Sequence, residues 1–511
     1  MSGRPRAKLH VVFSAECTHL FDWHSVALFY SFVVSNFSQT ANLTRLLACA
    51  ETERHRYFAA QPEEAIGATF VHRNLRDDPL VDEKGYPSYN KPYSVMAWLE
   101  GREHSTRGTG TGEHAAAHHG DVDEFVLMTD ADMIFRTPID PLELGAARGV
   151  VISAEYTYLI GTQSGFAERF IAKELVPKLA QVGGFHIFHV EDLRKIAPLW
   201  LEFTKKVRAF AFAHPTEFYS ESMAPIDKAE EHMRPVRQKQ SRWHSEMYGY
   251  VFAAAEVGVT HHVRRDVMLY PGYQPWLGRG PNILHYGSDY TVRAGDHDVY
   301  FNKMAHEQLT VESCPGFLFG ATAEVDAATL SKRDSLCIEH LAILDASLCN
   351  YYLSRCPSSK TPRLCLDGYE PRFVSAARQA QQVFSRCDDE HENCALWSSG
   401  GECGRNPSFM HSSCAKACGS CGKSIAEVIS EGDLHLGDWR WHEQHLSLQR
   451  PPTPAPAAAS SADPRSQSEA APATSPSPPR ARLASPSARS ALPDGPASRS
   501  VRVPSPSARS P

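Results

Sequence analysis

Several things are missing from this 511-residue chain, and each absence excludes something. No run reaches eighteen uninterrupted apolar residues, so no transmembrane helix is readable. There is no basic excess. Lys and Arg total 52 against 59 Asp and Glu, a formal net charge of -7, and no basic stripe stands apart, which argues against a nucleic-acid binder. No hydrophobic signal core precedes the first strand-like run, His10-Val11-Val12-Phe13. The glycine run Gly108-Thr109-Gly110-Thr111-Gly112 lacks the Lys-Ser/Thr that would make it a phosphate loop. Large apolar residues almost vanish beyond residue 440, where Pro, Ala, Ser and Arg dominate. Such a segment cannot bury enough surface to offset its ordering entropy and is expected to be disordered.

Cysteine, by contrast, is plentiful: of 13, six fall within residues 387–421, a density that an oxidising compartment supports. Asn36-Phe37-Ser38 and Asn42-Leu43-Thr44 are glycosylation sequons, a pattern that also arises by chance. Together these predict a protein of the secretory-pathway lumen (endoplasmic reticulum or Golgi) whose targeting segment is missing from this sequence. Five more cysteines, Cys314, Cys337, Cys349, Cys356 and Cys365, suggest a helical appendix pinned to the main domain by disulfides. Their odd number leaves one to pair with Cys17 or Cys49, or to stay free.

Hydrophobic residues at 42% and charged residues at 22% are ordinary for a globular chain long enough for two or three domains. Residues 1–310 alternate apolar strands with amphipathic helices, the pattern of an α/β domain. Expected strands are His10–Ser14, Glu124–Thr129, Val150–Ser153, Gly184–Val190 and Val267–Tyr270. Expected helices are Trp23–Val34, Val95–Glu100, Asp192–Ala209 and Ser245–Glu256. Between Gly101 and Gly120 a Gly/His/Thr/Ala-rich run reads as a flexible insertion, with His114, His118 and His119 as loop residues rather than ligands. Four segments follow: 1–310, 311–386 (the appendix), 387–421 (a six-cysteine module) and 422–511 (linker and tail).

The strongest chemical signal is Glu124-Phe125-Val126-Leu127-Met128-Thr129-Asp130-Ala131-Asp132. An apolar strand ends in two carboxylates, and open α/β sheets bind ligands at the carboxyl ends of their strands. Hard oxygen ligands there suit Mg²⁺ or Mn²⁺ bridging a diphosphate. A strand ending in a solvated acidic turn would look the same. His285, before Tyr286-Gly287, would add a nitrogen ligand; a histidine satisfied by backbone is the plainer alternative. Lys91, in Tyr86-Pro87-Ser88-Tyr89-Asn90-Lys91-Pro92, stands near a helix start and would neutralise a diphosphate there, unless it is an exposed turn lysine. Gly183 and Gly184 stand at a strand entrance, where backbone approaches a ligand closely or simply turns tightly. Glu246 opens a helix, either as a capping carboxylate or as a group facing an acceptor hydroxyl.

These motifs resemble a known family. HVVFSAEC, FDWHSVALFYSF, LTRLLAC, YPSYNKPYSVMAWL, DEFVLMTDADMIFRTPIDPLELGAARG, VGGFHIFHVEDLRKIAPLWL, SEMYGYVFAAAE, LYPGYQP and HYG are similar to the peptidyl serine alpha-galactosyltransferases of plants and green algae. The similarity runs over roughly residues 9–310 and weakens through the appendix. The related hydroxyproline arabinosyltransferases share the architecture and lack the intact Asp-x-Asp. The resemblance implies a GT-A fold, a UDP-sugar donor (UDP-galactose), Mn²⁺ or Mg²⁺, and a hydroxyproline-rich acceptor polypeptide. Asp130, Asp132 and His285 match the acidic motif and the late histidine expected to hold the metal. Within the matched motifs, Lys91, Gly183 and Asp130 are assigned to the donor, and Glu246 and Gly184 to the catalytic centre, with no catalytic base named. The insertion at 101–120, the absent targeting segment and the long tail depart from the family pattern. Cys387, Cys394, Cys403, Cys414, Cys418 and Cys421 resemble the ShK-toxin-like domain, which implies pairs 387–421, 394–414 and 403–418. A zinc site there is disfavoured, because paired Cys-x₂-Cys knuckles are lacking.

Sequence reading therefore points to a metal-dependent, retaining transfer of galactose to serine. An arabinosyltransferase-like enzyme, a nucleotidyltransferase and a non-catalytic binding protein that presents the six-cysteine module are the competing readings.

Overall fold

The computed structural model describes residues 7–107, 123–222, 234–320 and 330–428, apart from 63, 79–80, 82–84, 276–279, 295–296 and 424–426. Residues 108–120 of the expected insertion and almost all of the 422–511 segment lie outside the described residues.

The strands in chain order are β1 Lys8–Glu16, β2 Ala41–Cys49, β3 Thr69–Arg73, β4 Glu124–Thr129, β5 Met133–Phe135, β6 Val150–Glu155, β7 Val182–His189, β8 Thr260–Arg264, β9 Met268–Leu269, β10 Ile283–His285, β11 Tyr290–Ala294 and β12 His297–Phe301. The helices up to the appendix are α1 His19–Val34, α2 Glu51–Ala60, α3 Asn90–Arg107, α4 Val190–Ala213, α5 Pro215–Ser222, α6 Arg234–Ser241 and α7 Ser245–Val257. Among the described residues seven strands form one mixed sheet in the order β3-β2-β1-β4-β7-β6-β8. β3, β2, β1 and β4 run parallel, so their carboxyl ends share one edge, while β7 runs antiparallel to both β4 and β6.

Apolar burial explains why β4 lies at the centre. Phe125, Val126, Leu127 and Met128 are at most 1% exposed, because helices cover both faces of the sheet. Each such side chain contributes about 1.5–3 kcal/mol relative to exposure. The chain leaves this sheet at Thr129 and, after three intervening residues, joins a second one at Met133. There β5 pairs antiparallel with β10, and β10 pairs parallel with β9. Asp130-Ala131-Asp132 occupies the step between the two sheets.

All nine expected elements are present, with longer ends in most cases; Val267–Tyr270 shortens to the two residues of β9. Not foreseen were β2, β3, β5, β8, the β11–β12 hairpin and the helices α2, α5 and α6. The insertion needs correction at its start: α3 continues through Arg107, so residues 101–107 are helix.

In the appendix, α8 Lys332–Arg355, α9 Arg363–Leu366 and α10 Ser375–Gln382 follow. Disulfides do not pin it to the main domain. Cys314–Cys356 and Cys349–Cys365 close loops within it, Cys17–Cys49 closes a loop in the main domain, and Cys337 is free and buried. Apolar packing makes the attachment instead. Leu336, Leu341 and Leu344 of α8 join Trp23 of α1 and Tyr286 in one buried cluster. An ion pair crosses the same seam: Arg136 Nε lies 2.8 Å from Glu339 Oε2, with both side chains at most 5% exposed.

The three module disulfides are Cys387–Cys421, Cys394–Cys414 and Cys403–Cys418, around a small core of Trp397, Phe409 and Met410. The module docks on the main domain through Gln274, whose amide donates to Glu390 at 3.0 Å and to Ser413 at 2.9 Å.

Candidate active site

Three elements bring the acidic motif and its histidine together. β4 delivers Asp130 and Asp132 at its carboxyl end. The β5–β10 ladder then sets Met133 opposite His285, and the Tyr286 amide donates to the Asp132 carbonyl at 3.0 Å. Asp130, Asp132 and His285 thus each offer a ligand atom within 4.8 Å of the others. His285 Nε2 is 3.3 Å from Asp132 Oδ1. Two carboxylates and an imidazole, converging from different strands, fit a divalent cation by donor chemistry.

Two lysines hold these carboxylates. Lys91, the second residue of α3, reaches Asp130 Oδ1 at 2.6 Å and lies 3.7 Å from Glu246 Oε2. Burial pulls its ammonium pKa down, but the Asp130 and Glu246 carboxylates outweigh that and leave it above its ordinary value. Lys303, beyond β12, pairs with Asp132 Oδ2. Although burial opposes ionisation of Asp132, Lys303 and His285 hold its carboxyl well below the usual range. Glu246 is 4% exposed, and burial raises its pKa, partly offset by Lys91. Its backbone is fixed on both sides: the amide donates to Tyr86 Oη at 3.1 Å, and the carbonyl accepts from Trp200 Nε1 at 3.1 Å.

Aromatic side chains wall the other side. Tyr270 stacks on His285 with ring centroids 4.6 Å apart, and Tyr156 Oη lies 3.2 Å from Tyr270 Oη and 3.5 Å from His285 Nδ1. The two glycines open β7 for this ring. A Cβ at Gly183 would meet Tyr156 at 2.0 Å, and one at Gly184, where φ is +72°, would meet Met268 Sδ and Tyr156 Oη at 2.8 Å. The space they clear holds Tyr156, so their link to the site runs through that ring to His285.

Sequence reading singled out Lys91, Asp130, Asp132, Glu246 and His285, which lie together, and Gly183 and Gly184, which lie one ring away. It missed Lys303, Tyr156 and Tyr270. A lone lysine after a hairpin carries no local signal, although Tyr270 stands inside the quoted LYPGYQP run.

Residues 9–263 match the model of the hydroxyproline O-arabinosyltransferase family N-terminal domain, and residues 386–421 match the ShK domain-like model. A peptidyl serine alpha-galactosyltransferase of Chlamydomonas reinhardtii is 28% identical over 462 residues, covering 82% of this chain and 56% of that protein. One of Arabidopsis thaliana is 37% identical over 287 residues, covering 56% of this chain and 30% of that protein. The chain thus spans about half the length of the first relative and under a third of the second. A solved structure of the galactosyltransferase LgtC in complex with donor and acceptor sugar analogs aligns at a TM-score of 0.25 and 12% identity, over 51% of this chain and 76% of that one. The fold expected from the sequence, α/β with a disulfide-rich module, is the one the chain adopts.

Proposed function

We propose, from the premise that residues 9–263 belong to the hydroxyproline O-arabinosyltransferase family, that this protein is a metal-dependent glycosyltransferase of GT-A type. It moves galactose from UDP-galactose, in alpha linkage and with retention, onto serine hydroxyls of hydroxyproline-rich polypeptides. The observation that carries this reading is the convergence of Asp130, Asp132 and His285 within 4.8 Å at the carboxyl edge of the sheet. A non-catalytic protein would have no need of all three.

Asp132 and His285 would hold Mn²⁺ or Mg²⁺, with Asp130 as a third ligand or a ribose contact. The ion supplies Lewis-acid charge that offsets the negative charge developing on the leaving diphosphate. The chain's own residues do the rest. Lys91 and Lys303 bring two positive charges to the same edge, where a diphosphate carries its oxygens. Tyr270 and Tyr156 keep the His285 ring in one orientation. Glu246, buried behind Lys91, keeps that ammonium charged and in place. Retention calls for an oxocarbenium-like state shielded on one face, so no strong general base is assigned. The disulfides support a working place in the secretory lumen.

The test incubates purified protein with Mn²⁺ and an extensin-like peptide, giving UDP-galactose, UDP-glucose and UDP-arabinofuranose separately. Galactose on serine, abolished by chelator, is the expected result. Transfer only to hydroxyproline, or only from another donor, would place the protein with the arabinosyltransferases and leave the transferase reading intact. No release of UDP from any donor would remove that reading.

A further inference from the structure

A second constellation of metal-ligating side chains lies away from the candidate active site, at the foot of α1. His19 and Asp22 are one helical turn apart, so they project from the same face. A 3₁₀ turn at residues 311–313 brings Glu312 against them. The three residues each offer a ligand atom within 4.8 Å of the others, and His19 Nδ1 lies 3.0 Å from Glu312 Oε1.

Burial and hydrogen bonding make this more than a chance cluster of charges. Asp22 is 1% exposed. Tyr57 donates to its Oδ1, and Arg45 Nη1 lies 3.6 Å from that same oxygen, while Oδ2 has no partner. Glu312 Oε2 is likewise buried without a partner. Two carboxylates therefore face each other with one bare oxygen apiece, and Arg45 compensates only one of the two charges. A buried polar atom left unpaired costs about 1–3 kcal/mol, more when charged, so the pair calls for a ligand that supplies positive charge. The imidazole beside them is half exposed, which leaves a way in from solvent.

We infer that His19, Asp22 and Glu312 form a second divalent-cation site, distinct from the Asp130–Asp132–His285 site, and that it takes zinc. One nitrogen and two carboxylate oxygens, with a fourth position open to water, suit zinc better than calcium, which favours oxygen ligands alone. The ion fastens α1 to the turn that precedes Cys314, where the disulfide-closed appendix begins. It acts as a structural staple and takes no part in sugar transfer.

The test uses the full chain from a secretory host, in an Asp132→Asn background that disables the first site. After chelation, Zn²⁺ is added, the protein is desalted, and metal content and melting temperature are measured. About one zinc per chain is expected, with a melting temperature several degrees above the chelated protein. Adding His19→Ala, a half-exposed position that should fold, is expected to remove both the zinc and the shift, and Glu312→Gln should do the same. Equal zinc retention with and without His19, or no retention in the Asp132→Asn protein, would overturn the site.

Discussion

Asp132 is a carboxylate 7% exposed whose two oxygens face Lys303 and His285, so any change of its charge is felt at once by both neighbours. Asp132→Asn keeps the shape but binds a hard cation poorly. Losing several kcal/mol of charge stabilisation at the diphosphate predicts a fall in turnover of about 100-fold or more, while the broken pair with Lys303 lowers the melting temperature by a few degrees and leaves the chain folded. Full activity in that variant, or wild-type activity unaffected by chelator, would remove the cation from the reading. Lys303 gives a second prediction. It neutralises Asp132 whenever no cation is bound, so Lys303→Met should destabilise the chelated protein by about 1–3 kcal/mol, discounted from a fully buried pair because the lysine is partly exposed. Mn²⁺ should restore most of that loss. Thermal unfolding with and without chelator measures both, and an unchanged chelated protein would contradict the pairing.

Elements rather than single contacts decide how the site's aromatic wall is held. β7 enters the sheet through Gly183-Gly184, and Tyr156, just after β6, fills the space above them. Two glycines at a strand entrance suggest a close approach of backbone to a ligand, and the group that approaches them in the structure is a protein ring. Gly183→Ala forces a Cβ into that ring, which costs about 1–3 kcal/mol and moves Tyr156 away from His285 Nδ1. The expected outcome is a lowered melting temperature together with a weakened apparent affinity for Mn²⁺, measured by metal titration of activity. A variant that loses stability but keeps its metal response would confine the glycine to packing. Across the other seam, α1 and α8 explain why the appendix needs no disulfide to the main domain. A face of leucines packing on Trp23 and Tyr286, with the Arg136–Glu339 pair inside it, already buries the contact.

For the whole molecule, buried neutral histidines lower stability in acid, while the Asp22 carboxyl, pushed up to about 7 chiefly by burial, acts the other way because the folded chain binds its proton first. His72, 9% exposed, is held down to about 4 chiefly by burial, and fully buried His340 is lowered to about 3 for the same reason. Glu124 sits at about 2 because His10 bonds it and Arg102 and Lys8 lie near, against some opposition from burial. For His72, His340 and Glu124 the unfolded chain binds the proton first as pH falls, so stability drops with acid. For the histidines the loss begins near their unfolded value, about 6.5, and for Glu124 it begins only below about 4.5. Each histidine contributes a loss of about 2 kcal/mol between about pH 7 and about pH 5. Melting curves at those two values should show a smaller acid-induced fall in His72→Gln and His340→Gln variants than in the unaltered protein, and an equal fall would contradict this assignment.

Some of this was determined by the sequence alone, because it depends on local chemistry. The apolar run Phe125–Met128 had to be a buried strand, the carboxylates after it had to emerge at a strand end, and the six-cysteine spacing read as a disulfide module without reference to anything distant. Other features turn on partners far along the chain. Lys303 meets Asp132 across 171 positions, a distance over which no periodicity or motif carries information. His19 and Asp22 wait for Glu312, and the odd cysteine of the appendix stayed undecided until Cys17 was seen to sit beside Cys49 and Cys337 to be sealed within α8. β2 was unread because Asn42, Thr44 and Arg45 interrupt its apolar pattern, and Arg45 is buried only because Asp22 and Thr69 receive it. A local pattern records what a segment must bury, whereas which charges meet is settled only when the β5–β10 ladder and the α1–α8 seam close.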